Sequence, residues 1–175
     1  MKKTIILILS IISIYIFIGF KFSDIEIPEE ALRIRILANS NSDYDQSVKN
    51  NVKEEIQDYV YNLLKDTKDI NEARKIINSN LNSISLLTSK NLESQNYNLP
   101  FKINFGLNYF PKKEYKGIKY KEGYYESLLI TLGSGKGDNW WCVLFPPLCL
   151  LEAEESMEVE YTTVVSEILK KYKNY

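Results

Sequence analysis

Leu32-Arg33-Ile34-Arg35-Ile36-Leu37 alternates apolar and basic residues at period two. That pattern reads as a half-buried β-strand with its aliphatic side chains turned to a core. The period then changes. Ala38-Asn39-Ser40-Asn41-Ser42-Asp43 is a run of turn and cap residues, and Asp45 stands at the third position after Ser42, as in a capping arrangement. Beyond it Val48, Val52, Ile56, Tyr59, Val60, Leu63 and Leu64 recur at spacings of three and four. An amphipathic helix ending near Lys65 is expected. A second helical run opens after Asp69 with Ile70, Ala73, Ile76, Ile77, Leu81, Ile84 and Leu87, and the weak helix formers between Asn78 and Asn82 predict a break or kink in it.

After the polar stretch 94–100 the period returns to two. Phe101, Ile103, Phe105, Leu107 and Tyr109 alternate with Lys102, Asn104, Gly106 and Asn108 up to Pro111. Gly117 and Gly123 bracket a short Ile118-Lys119-Tyr120 segment, which suggests a meander, and residues 124–132 read as a further long strand. Strand, two helices, then two or three strands make an α+β domain: a small, mainly antiparallel sheet with two helices packed on one face, plus a C-terminal helix. The domain is expected over residues 24–151. Glu152, Glu154, Glu155, Glu158 and Glu160 read as an acidic linker, and Val164, Val165, Ile168, Leu169 and Tyr172 as an amphipathic helix within 152–175.

Residues 1–23 have a different character. Lys2 and Lys3 precede sixteen uncharged residues from Ile5 to Phe20, longer than a typical signal-peptide core and short of the roughly 20 that span a bilayer comfortably. An export signal or a membrane anchor is expected, and both cleavage and tethering are compatible with this length. The remainder, about 150 residues with a net charge of about −4, suits one domain and makes nucleic acid an unsuitable partner. The chain has no histidine, which removes Ser-His and Cys-His nucleophile pairs and the commonest metal ligand. No cofactor, metal site or catalytic constellation is expected. Carboxylates at Asp43, Asp45 and Glu126 provide the alternative, an exported hydrolase acting on cell wall or peptide.

The densest segment is Gly133-Ser-Gly-Lys-Gly-Asp-Asn-Trp-Trp-Cys-Val-Leu-Phe-Pro-Pro-Leu-Cys149. Its glycines do not have phosphate-loop spacing, and Asp138 follows where phosphate would sit. Gly133, Gly135 and Gly137 therefore read as a turn that positions Asn139, Trp140 and Trp141. In an extended backbone the two tryptophans point to opposite sides, and an exposed one would be a favoured interface anchor. Cys142 and Cys149 enclose six residues with a Pro-Pro turn between them. In an oxidising compartment they are a candidate disulfide, with a loop-closure gain of about 2.5 kcal/mol.

That segment, together with Arg33-Ile-Arg-Ile-Leu-Ala-Asn-Ser-Asn-Ser-Asp-Tyr-Asp-Gln46 and Val48-Lys49, resembles the stage II sporulation protein R family of endospore-forming bacteria, over residues 32–150. Asn41 departs from the family pattern, where Asp is expected, and Leu150 stands where an aromatic is usual. The resemblance implies a non-enzymatic messenger exported from the forespore into the space between forespore and mother cell. There it would activate a membrane-embedded aspartic protease that removes the pro-sequence of sigma-E. In that reading Trp140, Trp141 and Asn139, with Arg33 or Arg35, are the expected partner contacts.

Overall fold

Among residues 30–115, 118–148 and 158–172, which the computed structural model describes, the chain opens with β1 (Leu32–Leu37) and three helices, α1 (Asp43–Leu64), α2 (Ile70–Ser79) and α3 (Leu81–Ser94). Five strands follow: β2 (Phe101–Phe110), β3 (Lys113–Tyr115), β4 (Ile118–Tyr120), β5 (Gly123–Leu132) and β6 (Asn139–Phe145). The last described element is α4 (Glu158–Tyr172). The expected export segment, the acidic stretch 152–157 and Cys149 lie outside the described residues. No helix among the described residues is long and apolar enough to cross a membrane.

The α+β class holds. The main sheet has the order β2-β5-β1-β6, in which β1 runs parallel to β5 and the other pairings are antiparallel, while β3 and β4 form a separate hairpin. The second helical run divides at Asn80. Its backbone N–H closes α2 on the Ile76 and Ile77 carbonyls, and its own carbonyl accepts from Ile84 to open α3. Three helices therefore follow β1 instead of two. Ser42 caps α1 as its spacing predicts, its Oγ accepting from the Asp45 N–H at 3.2 Å. Such a cap is worth about 1 kcal/mol.

Ile34 and Ile36 of β1, Leu128 and Ile130 of β5, and Val52 and Ile56 of α1 are all fully buried in one cluster that also takes Ile77 of α2 and Ile84 of α3. At roughly 1.5–3 kcal/mol per buried aliphatic side chain, this helix-side cluster is the main source of stability. The opposite face of β1 corrects the expectation of a half-buried strand. Arg33 is 1% exposed, because a second cluster covers that face: Phe110, Tyr120, Tyr125, Trp141 and Val143, with Val165 of α4 fully buried among them. β1 lies between β5 and β6 and is enclosed on both sides. The C-terminal helix is present, but it begins at Glu158, so Glu158 and Glu160 belong to its first turn instead of to a linker. Lys170 and Lys171 in the last turn complement the helix dipole.

Candidate functional site

The loop between β1 and α1 meets the loop between β5 and β6, and together they form a polar clamp. Asn39 uses both ends of its amide: Oδ1 accepts from Ser134 N–H at 3.0 Å and Nδ2 donates to the Asp45 carboxylate at 2.9 Å. Ser40 Oγ donates to the same carboxylate. Ser134 Oγ donates to the Asn39 carbonyl at 2.9 Å, Gly137 N–H to the Ala38 carbonyl at 2.9 Å, and Asp138 N–H to Asn41 Oδ1 at 2.6 Å. Gln46 Nε2 bonds the Ser40 carbonyl at 3.0 Å, and Lys49 Nζ bonds Gln46 Oε1 at 2.6 Å. Hydrogen bonds from Ser40 first, then Asn39 and Ser42, hold the Asp45 carboxyl below the usual range even though burial opposes this. Burial lowers the Lys49 ammonium.

The three glycines make this approach possible. Gly133 and Gly135 adopt φ of +54° and +66°, a region that disfavours side chains. At Gly137 the restriction is space: a Cβ would lie closer than 3.0 Å to the carbonyl oxygen, carbonyl carbon and Cα of Ser40. Tight contact with the Asn39–Ser40 backbone thus fixes the direction in which the chain leaves the turn.

From the clamp the chain enters β6, which pairs Asn139 with Leu37, Trp140 with Ile36 and Trp141 with Arg35. The tryptophans take opposite faces, as alternation requires. Trp140 is half-buried against the helix-side core, with Lys53 Nζ 5.6 Å from its ring. Trp141 is 6% exposed and stands edge-on to Tyr120 at 4.7 Å and to Phe110 at 5.5 Å. Its ring also has Lys113 Nζ at 5.3 Å.

Beneath Trp141 lies an arginine layer. Arg33 Cζ sits 3.3 Å from the Tyr125 ring centroid and 5.4 Å from those of both Phe110 and Trp141. Its Nε and Nη1 are buried without a hydrogen-bond partner. Arg35 donates from Nη1 to the Tyr109 carbonyl at 2.8 Å and reaches within 5.5 Å of the Phe110 ring, while its Nε is buried without a partner. Burial lowers the pKa of both guanidinium groups. Cation–π contact recovers about 2 kcal/mol in such a desolvated setting, and each unmet donor costs about 1–3 kcal/mol.

The expected contact residues thus divide between the two faces of the sheet: Arg33, Arg35 and Trp141 share the aromatic face, with Arg33 and Trp141 in its interior, whereas Trp140 lies half-buried on the helix side. The carboxylates of the hydrolase alternative do not converge. Asp45 is a clamp acceptor and follows the end of β1. Glu126, near the other end of the sheet, takes a bidentate pair from Arg74, Nε to Oε1 and Nη2 to Oε2, both at 2.7 Å. Arg33 is level with Ser127 and Leu37 with Thr131, which separates the two ends by roughly 13 Å at 3.3 Å per residue. Cys142 is buried on the helix side, and its pairing with Cys149 lies outside the described residues.

Phe110, Tyr120 and Tyr125 were not among the expected site residues. A compositional signal pointed towards them: only three of the 22 basic residues are arginine, and two of these are Arg33 and Arg35. A lysine-rich chain that places arginine twice on one strand is using the planar cation that stacks on aromatic rings.

The chain matches the family described as Stage II sporulation protein R over residues 28–155. Stage II sporulation protein R of Bacillus subtilis (strain 168) is 44% identical over 126 residues, which is 72% of this chain and 56% of that protein, so the match spans little more than half of the relative's length. No solved structure matches the chain. Both stretches that build the clamp and the arginine layer fall inside the matched residues, and the chain belongs to the stage II sporulation protein R family.

Proposed function

We propose that the chain is an exported, non-enzymatic messenger of sporulation. It passes from the forespore into the intermembrane space, secreted or tethered by residues 1–23, and activates a membrane-embedded aspartic protease that processes pro-sigma-E in the mother cell. One observation carries this reading. The two stretches that resemble the family are far apart in sequence, yet the clamp locks them together, and its last residue leads directly into Asn139, Trp140 and Trp141. A rigid loop that fixes where the edge strand β6 presents the half-buried Trp140 ring is how a preorganised docking anchor is built. Docking that favours the active state of the protease would shift its population without any chemistry by the messenger.

Reconstitution of the full chain with the protease and its pro-sigma substrate tests this. Trp140→Ala removes a half-buried ring at the margin and is expected to reduce processing roughly thirtyfold, as for an interface hot spot. Trp141→Phe, which keeps an aromatic ring in the layer, should fold and process with a smaller loss. Normal processing by a folded Trp140→Ala variant would refute the anchor role. The same reaction with and without reductant reports whether a Cys142–Cys149 bond matters to the signal.

A further inference from the structure

We propose that Arg33 and Arg35 form a receptor for carboxylate, and that its ligand is an acidic segment of the docking partner, received on the sheet face that α4 now covers. This rests on the docking reading above and adds the chemistry of the partner.

Arg33 is 1% exposed, and Arg35 stands two residues along the same face of β1. Nε and Nη1 of Arg33 and Nε of Arg35 are buried donors with no acceptor. Among the described residues neither guanidinium is paired with a carboxylate: Arg35 bonds a backbone carbonyl, Arg33 stacks on rings, and the ion pair of the sheet belongs to Arg74 and Glu126. Guanidinium does not escape this situation by losing its proton. Each N–H fork matches the planar geometry of a carboxylate, and the walls of Phe110, Tyr125 and Trp141 exclude water, so a carboxylate arriving there meets an unscreened charge.

The cover favours exchange. Val165 of α4 is fully buried in the aromatic cluster, with Ile168 and Leu169 packed against it, so the helix shields the arginines with aliphatic side chains. Glu167 of the same helix points to solvent. α4 also lies beyond residue 155, where the family match ends. Among the described residues of α4, 165–172, the side chains that shield the charge do not neutralise it; a segment that does both can replace them, and charge complementarity selects an acidic one.

Titration of the full chain, in mild non-ionic detergent, with a ten-residue oligoglutamate tests the receptor directly through tryptophan fluorescence. A saturable change is expected, weakened at least tenfold by Arg33→Met and by Arg35→Gln, and absent with oligolysine. Arg33→Met separates binding from folding, because removing a buried cation without a counter-ion should leave the melting temperature unchanged or raise it. Arg35→Gln, at a partly exposed position, supplies the same reading if the first variant does not fold. Equal oligoglutamate affinity in both variants, or no preference over oligolysine, overturns the proposal. Reconstituted processing then separates the two readings. Oligoglutamate binding that depends on Arg33, combined with processing that does not, would keep the carboxylate receptor and remove the protease as its ligand.

Discussion

The Arg33–Gln46 stretch treats its polar groups in two opposite ways along its length. In the clamp, Asn39, Ser40, Ser42 and Asp45 satisfy one another, while Asn39 reaches across to Ser134 and Asn41 to Asp138. In the arginine layer, only a few residues earlier, buried N–H groups face aromatic rings and no acceptor. A network whose members satisfy one another, here around the buried Asp45, holds its loops in one geometry. An unsatisfied one costs free energy in the free protein and is retained only if something else gains from it. The clamp therefore sets geometry, and the arginine layer holds the unmet donors that the proposed carboxylate ligand would satisfy.

Substitutions at the two regions should accordingly differ in sign. The largest loss is expected for Gly137→Ala, because the new methyl meets the Ser40 backbone, which is held by its own hydrogen bonds and has little room to yield. Overpacking of this kind costs about 1–3 kcal/mol, read from chemical denaturation, whereas Arg33→Met should move the midpoint the other way or not at all. Equal losses at both would erase the distinction.

Acid sharpens it further. Asp45 has a folded-state pKa below its ordinary value, so its contribution is fully present above the unfolded carboxyl pKa of about 4 and is lost as pH falls through the folded value. Asp45→Ala removes that contribution and leaves the Asn39 and Ser40 donors unmet, at a cost of about 1–3 kcal/mol near neutral pH. The difference from wild type should narrow as pH drops below about 4. A difference independent of pH would mean that the charge of Asp45 plays no part.

The smallest effect is expected at position 41. Asn41 contributes Oδ1 as an acceptor to Asp138 N–H and Gln46 Nε2, and an aspartate keeps that acceptor. Asn41→Asp should change stability by less than about 0.5 kcal/mol. A larger change would show that the amide, beyond its oxygen, has a role in the clamp.

Much of the fold was readable from local pattern. The Ser42 cap, the stripe of α1, the break near Asn80 and the alternation of β2 all depend on residues within a turn or two of each other, where spacing carries the information. The errors arose where distant residues decide. Alternation in β1 correctly separated Ile34 and Ile36 from Arg33 and Arg35, but it could not reveal that Phe110, Tyr125 and Trp141 would close over the arginine side. Burial on both faces is a property of the sheet order, and charged alternation imitates an exposed face. Similarly, the capping residues after Leu37 and the glycines after Leu132 were each recognised, whereas their mutual bonding joins positions some 95 residues apart, such as Asn39 and Ser134. The resemblance named both stretches without joining them. Glu158 and Glu160 read as linker because a cluster of acids imitates a solvated tether, although acids also suit the first turn of a helix.

The position of β1 has a kinetic consequence. Its two neighbours are residues 127–131 of β5 and 139–145 of β6, so the first strand of the domain has no partner until almost all of the domain exists. The three helices between them form from local contacts, while closure of the sheet waits for long loops to be spanned, which is intrinsically slow. A chain emerging from its N-terminus is then a string of nascent helices with an unpaired leading strand. Such a state completes its four-stranded sheet only after the β6 segment has followed.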